Sequence, residues 1–286
     1  MLTFTIVMPQ PIRRAAAVAG SWYPGESGRL EAEIDGYCRR VTATVEGDIV
    51  GLIAPHAGLM YSGPVAAHAY RQLAGRSYDV IVLVGPSHHV GFEGVSIVSR
   101  GTFETPMGEV SISSDDADAI MAATPVVHDL PAAHRREHSL EMQLPFLQRM
   151  LPGVPIVPLV MGHQSRATVA ALADGLASAL ASRRPLLVAS SDLSHYQTSQ
   201  RAAQLDLVIA NAVERFDAEA VERALARFPE HACGGGPVVS VMRAARALGA
   251  GDARVLCYAD SSAVSGDTKA VVGYLAAVFG TFAPAP

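Results

Sequence analysis

The chain has 286 residues, 50% of them hydrophobic, and 22 Lys and Arg stand against 27 Asp and Glu for a formal charge of −5. That length and apolar content suffice for a large core, as one domain or two. The slightly acidic balance and scattered basic residues, Lys269 being the only lysine, offer no face to a phosphate backbone and exclude nucleic acid as an expected partner.

Residues Met1 to Gln10 carry no positive n-region, and their apolar run is too short for a signal segment or a membrane span, so a cytoplasmic protein is expected. Met8 is an alternative start to Met1, and residues 1–14 read as an extended or disordered N-terminus. Cys38, Cys233 and Cys257 form no CxxC pair and are odd in number, which fits a reducing compartment. No low-complexity linker or repeat divides the chain, so a single domain is predicted over 15–280.

Along that domain, apolar runs of strand length lead directly into small or turn-forming residues. Ile49–Ile53 runs into Ala54-Pro55-His56-Ala57-Gly58, and Val80–Val84 into Gly85-Pro86-Ser87-His88-His89. Pro64–Leu73 reads as a helix with proline in its first turn. Glu137–Met150 reads as a helix with a Leu140, Leu144, Leu147 stripe that Pro145 should kink or break. Ile156–Val160 leads to Gly162-His163, Thr168–Leu180 is helical, and Leu186–Ala189 leads to Ser190-Ser191-Asp192-Leu193-Ser194-His195. Helices over Gln204–Phe216, Ala218–Phe228 and Val238–Leu248 follow, then strands near Arg254–Tyr258 and Ala270–Ala276. Runs that are apolar on both faces predict an α/β domain with a central, largely parallel or mixed sheet covered by helices.

In such sheets ligands gather beyond the carboxyl ends of the strands, and three of the ten histidines, His56, His88 and His195, stand at separate strand exits. One loop histidine is ordinarily a surface or capping group; three at converging exits point to a shared pocket. His88 and His89 are neighbours on an extended backbone, so one of them faces inward, and spacing does not choose which. Cys233, in Ala232-Cys233-Gly234-Gly235-Gly236-Pro237, precedes a helix whose N-terminus favours a thiolate, although a small buried side chain is the competing reading. Asp192 and His195 share a face if their loop turns helically, so that the carboxylate orients the imidazole; the alternative is an Asp helix cap. His138 and Glu141 have the same spacing on what is by default a solvated helix face. Trp22 and Tyr61 are candidate apolar walls for a small-molecule pocket, or plain packing anchors.

Taken together, Ala19-Gly20-Ser21-Trp22-Tyr23, Ile53-Ala54-Pro55-His56-Ala57-Gly58, Gly85-Pro86-Ser87-His88-His89, Glu137-His138-Ser139-Leu140-Glu141-Met142, Ser190-Ser191-Asp192 with His195, and Cys233 with its following glycine resemble the Memo family, in order and across nearly the whole chain. That family is similar in fold to the class III extradiol dioxygenases, which use non-haem iron. The resemblance implies one metal ion held by His56, His88 and Cys233, and it selects His88 over His89. It also places Asp192 and His195 in the same pocket, with His195 as the acid–base group. The dioxygenases use two histidines and a carboxylate, and here Cys233 stands in place of the carboxylate. A thiolate is softer, which widens the choice from Fe(II) to copper or zinc and makes ring cleavage doubtful. Three protein ligands leave positions open for water, oxygen or substrate, so redox chemistry at iron or copper is the first expectation. A metal-free thiol enzyme and a non-catalytic binding or adaptor protein are the alternatives. The family also implies a functional link to Ammecr-type and radical SAM proteins in prokaryotes, and adaptor roles in animals.

Overall fold

Strands apolar at every position need cover on both faces, and that requirement arranges the molecule. The computed structural model describes residues 11–283; the choice between Met1 and Met8, and most of the expected N-terminal extension, lie outside the described residues. The strands are β1 (Ile12–Arg14), β2 (Gly47–Ala54), β3 (Val80–Pro86), β4 (Val95–Ile97), β5 (Gly101–Thr105), β6 (Gly108–Ser111), β7 (Val127–Asp129), β8 (Ile156–Met161), β9 (Pro185–Ser190), β10 (His195–Gln197), β11 (Asp252–Asp260) and β12 (Val271–Phe282). The helices are α1 (Ser27–Arg39), α2 (Leu59–Tyr70), α3 (Ser114–Ala123), α4 (Pro131–His134), α5 (Leu144–Met150), α6 (Arg166–Ala179), α7 (Ser199–Glu214), α8 (Ala218–Arg227), α9 (Gly235–Ala247) and α10 (Ser262–Ser265). None is long and apolar enough to cross a membrane among the described residues.

The central mixed sheet runs β10-β12-β2-β9-β3-β8-β4-β7, with β11 also on β12. Its middle, β2-β9-β3-β8, is parallel; β12 runs antiparallel to β2, and β4 antiparallel to β8. Strand periodicity then divides the side chains. Val80, Val82 and Val84 of β3 join the core under α3 and α6–α9, whereas Ile81 and Leu83 join the core under α1, α2 and α5. This is the expected single-domain α/β architecture.

Several local expectations differ in instructive ways. Helix α2 starts at Leu59, so Pro64 lies inside it rather than in its first turn. Conversely, Pro145 opens α5 instead of kinking a longer helix, because only a short 3-10 turn at Glu141–Gln143 precedes it and proline suits a first turn. The last strand runs on to Phe282, since β2 and β11 both pair with it.

A small second sheet, β1-β5-β6, fastens the start of the described chain to the body. Its pairing depends on Gly101, which has φ +116° and stands so close to β1 that an added Cβ would lie 1.8 Å from the Ile12 carbonyl oxygen. Gly101→Ala should therefore detach β1 and cost about 1–3 kcal/mol through backbone strain, read as a lowered midpoint in urea unfolding followed by circular dichroism. An unchanged midpoint would show that β1 contributes little.

Candidate metal centre

Backbone pairing sets the exits of three parallel strands side by side. Ala54 of β2 is in register with Ser190 of β9, and Val84 of β3 with Ala189. His56, His88 and Asp192 each stand two residues past the last residue of their strand, so register alone delivers them to one edge. Cys233 arrives from the far side, where Gly234 lies against β9: a Cβ there would come within 2.4 Å of the Ser190 carbonyl oxygen.

The protonation pattern of the histidines follows from their partners. Ser190 Oγ donates to the Ser139 carbonyl at 2.6 Å and accepts from Gln143 Nε2 at 2.7 Å. Gln143 is itself oriented by the Pro55 carbonyl and the Tyr70 hydroxyl. Its single proton committed, Ser190 Oγ can only accept from His56 Nδ1 at 2.8 Å, which leaves His56 Nε2 bare. His88 Nδ1 donates to Glu137 Oε1 at 2.8 Å, and His88 N to Glu137 Oε2 at 2.6 Å, which fixes the ring with Nε2 on its other side. A ligating histidine is typically fixed in this way by a partner on its other nitrogen.

Electrostatics favour the same state. Burial, then the neighbouring His88 and His138, hold His56 well below the usual imidazole range, and burial and His88 bring His138 down to about 4. Burial alone would raise Glu137, but the His88 ring and the N–H groups of His88 and Ser139 outweigh it and keep the carboxyl well below its ordinary range. The result is neutral His56 and His138 rings near the Glu137 carboxylate, and a neutral imidazole is the form that binds metals.

Donor atoms of His56, His88 and His138 lie within 4.8 Å of one another. His138 reaches this cluster by stacking on His88, with centroids 4.4 Å apart at 24°. Cys233 Sγ stands 3.3 Å from His56 Nε2. Against the thiolate expected beside a helix start, burial and the nearby Asp192 push the Cys233 thiol up. Cys233 also lines a cavity of about 500 Å³ with Gln164, Val169, Leu225 and Val239.

The remaining expected residues divide. Asp192 does not orient His195: it accepts from His56 N at 2.7 Å and holds the His56 loop, and burial raises its carboxyl to about 7. No helical turn joins the two residues, because the chain enters β10 at His195. His195 Nδ1 donates instead to the Leu193 carbonyl at 2.8 Å, leaving its Nε2 bare; burial and His88 lower its affinity for protons. Glu141 is a structural residue, not a substrate contact. Fully buried, it pairs with Arg14 and accepts from Ala17 N, Val18 N and the Tyr23 hydroxyl. Trp22 does reach the cluster, 4.3 Å from the His138 ring, and Tyr61 stands half-buried beside the Gly58 turn. His89 stays exposed. Glu137, Ser190 and Gln143 were not singled out as site residues, although Glu137 and Ser190 lie inside two of the quoted motifs and Gln143 interrupts the apolar stripe of Leu140, Leu144 and Leu147.

A mixed α/β domain with a histidine cluster at its parallel strand exits is the class of protein that fold and site define. A family model described as Memo-like protein matches residues 14–278. A MEMO1 family protein of Methanosarcina mazei is 37% identical over 268 residues, covering 93% of this chain and 98% of its own. One from Methanobrevibacter smithii is 34% identical over 282 residues, covering 93% and 99%. The crystal structure of an uncharacterized protein from Escherichia coli K12 shares the fold, with TM-score 0.52 and 14% identity over 82% of this chain and 100% of that one. The chain belongs to the Memo family.

Because Glu141 neutralises a buried Arg14, Glu141→Ala should cost about 3–5 kcal/mol by leaving an unpaired buried charge. Urea unfolding measures it; a loss under about 1 kcal/mol, the scale of an exposed pair, would contradict the structural role.

Proposed function

We propose that this Memo-family protein is a metal-dependent oxidoreductase, dioxygenase-like in layout, holding one ion through His56, His88 and Cys233. Iron or copper is the first choice and zinc the alternative, since imidazole and thiolate together suit all three. The observation that carries the reading is that His56 and His88 are each held by a hydrogen bond on Nδ1, which frees the Nε2 side of each ring for an ion, with the Cys233 sulfur against that of His56. Proximity alone would favour His138 as the third donor. Its ring, however, is stacked on that of His88, 24° from parallel, so the lone pairs of these two rings would not converge on one point. The imidazole lone pair is in-plane, so His138 serves better as a wall of the site, backed by Trp22.

A bound ion would supply redox and Lewis-acid chemistry at its open positions. The chain's own groups have separable tasks. Cys233 gives up its proton on ligation, as thiol ligands do. Asp192 pins the His56 loop through backbone N–H groups. Glu137 fixes the His88 ring and adds negative charge behind it. His195, neutral and with Nε2 bare, is the group suited to accept a proton from substrate. The cavity lined by Cys233 is where we seat a small-molecule substrate. A metal-free thiol enzyme is disfavoured, because a thiol pushed up by burial is a poor nucleophile. The link to Ammecr-type and radical SAM proteins is part of the same family reading.

Metal analysis of anaerobically purified protein tests it. Wild type should carry about one equivalent, and His56→Ala and Cys233→Ser should lose most of it, while His138→Ala keeps it. Equal content in all four, or a metal-free wild type, would overturn the proposal and favour the adaptor reading. Glu137→Gln should bind metal about 10–100-fold more weakly, by competition with a chromogenic chelator.

A further inference from the structure

Outside the metal centre, helices α7 and α8 enclose a second cavity whose chemistry is unlike that of the rest of the surface. Its origin lies in the sequence of α8. Ala220 and Ala224, four residues apart, face α7 on one ridge, and side chains that small cannot fill the space beside Leu205 and Val208. What remains is a furrow of about 460 Å³, within the size range of ligand pockets.

Three guanidinium groups border it: Arg201 from α7, and Arg223 with Arg227 one turn apart on α8. On a chain of net charge −5 they are weakly neutralised. Arg201 meets only the Gln204 side chain, at 3.3 Å. Asp217, the carboxylate nearest Arg223, is 3.7 Å away and already caps α8 through Ala220 N. Arg227 makes no ion pair among the described residues. Asp206, next to Leu205 on α7, is buried and committed to Ser194 N and the Tyr258 hydroxyl.

Beside the cations lie apolar side chains that water should disfavour. Val208 and Phe228 are each 46% exposed, and both line the furrow. His231 lines it too, yet is only 3% exposed, and its Nδ1 has no hydrogen-bond partner.

We infer that the α7–α8 furrow binds a small organic anion, a carboxylate or phosphate monoester with an apolar body. Its head is held by Arg201, Arg223 and Arg227, since guanidinium forks match both kinds of oxyanion. Its body covers Val208 and Phe228. This site shares no residue with the metal centre and stands whether or not a metal is bound there.

Isothermal titration of the full chain with 1-naphthyl phosphate, 1-naphthoate, 2-naphthol and inorganic phosphate tests it. At least one naphthyl anion should bind saturably at one site. 2-Naphthol and inorganic phosphate should each bind about tenfold or more weakly, because each lacks half of the contacts. The tighter of the two anions identifies the head group. Arg223→Gln with Arg227→Gln should weaken that binding about tenfold or more and leave metal content and the urea midpoint unchanged. Both residues are exposed, so the fold should tolerate the change. Absence of binding by both anions, equal binding of inorganic phosphate, or full affinity in the double variant would each overturn the assignment. Binding of an acidic peptide but of neither naphthyl anion would give the furrow to a protein partner and overturn it as well.

Discussion

Hydrogen bonding between β2, β9 and β3 is the constraint on which the site depends. Parallel pairing fixes Ala54 beside Ser190 and Val84 beside Ala189, and each strand is covered on both faces, so a slip by one residue would exchange the two cores. Register locked by burial places three loop residues from distant parts of the chain at one edge. The loops need no regular structure of their own; they inherit position from the sheet. Functional residues on short loops over a rigid scaffold are the common solution to this problem.

Around that edge, buried polar groups are spent on orientation. Tyr70 orients Gln143, Gln143 and the Ser139 carbonyl commit the Ser190 hydroxyl, and Ser190 determines which His56 nitrogen carries the proton. Glu137 does the same for His88 in one step, with a charge. Both routes hold Nδ1 and leave Nε2 on the other side of the ring, but Glu137 also places negative charge near the cluster, where it would favour a cation. Such networks are costly if left incomplete, and here every donor and acceptor in the relay is paired.

The two carboxylates assigned to function from spacing alone show why spacing was insufficient. Asp192 and His195 are three apart, which suggests a shared helical face, yet the chain runs from a loop into β10 and the imidazole turns to the Leu193 carbonyl. His138 and Glu141 have the same spacing with opposite fates: His138 stacks on His88, while Glu141 turns away to bury the charge of Arg14. A side chain 127 residues distant in sequence made that decision, and nothing in the local pattern announced it.

The sequence by itself determined the α/β class, the central strands and the exits bearing His56 and His88, because burial on both faces writes itself into uninterrupted apolar runs. It also carried the family, whose short motifs recur in order along the chain. Only the tertiary structure decided that Nδ1 of both rings is held from behind, that Glu137, Ser190 and Gln143 do this, that Asp192 serves His56, and that burial pushes the Cys233 thiol up. Each of these depends on desolvation and on hydrogen-bond partners remote in sequence. Such quantities exist only after the chain has folded, which is why the strand exits bearing these residues could be read in advance and their chemistry could not.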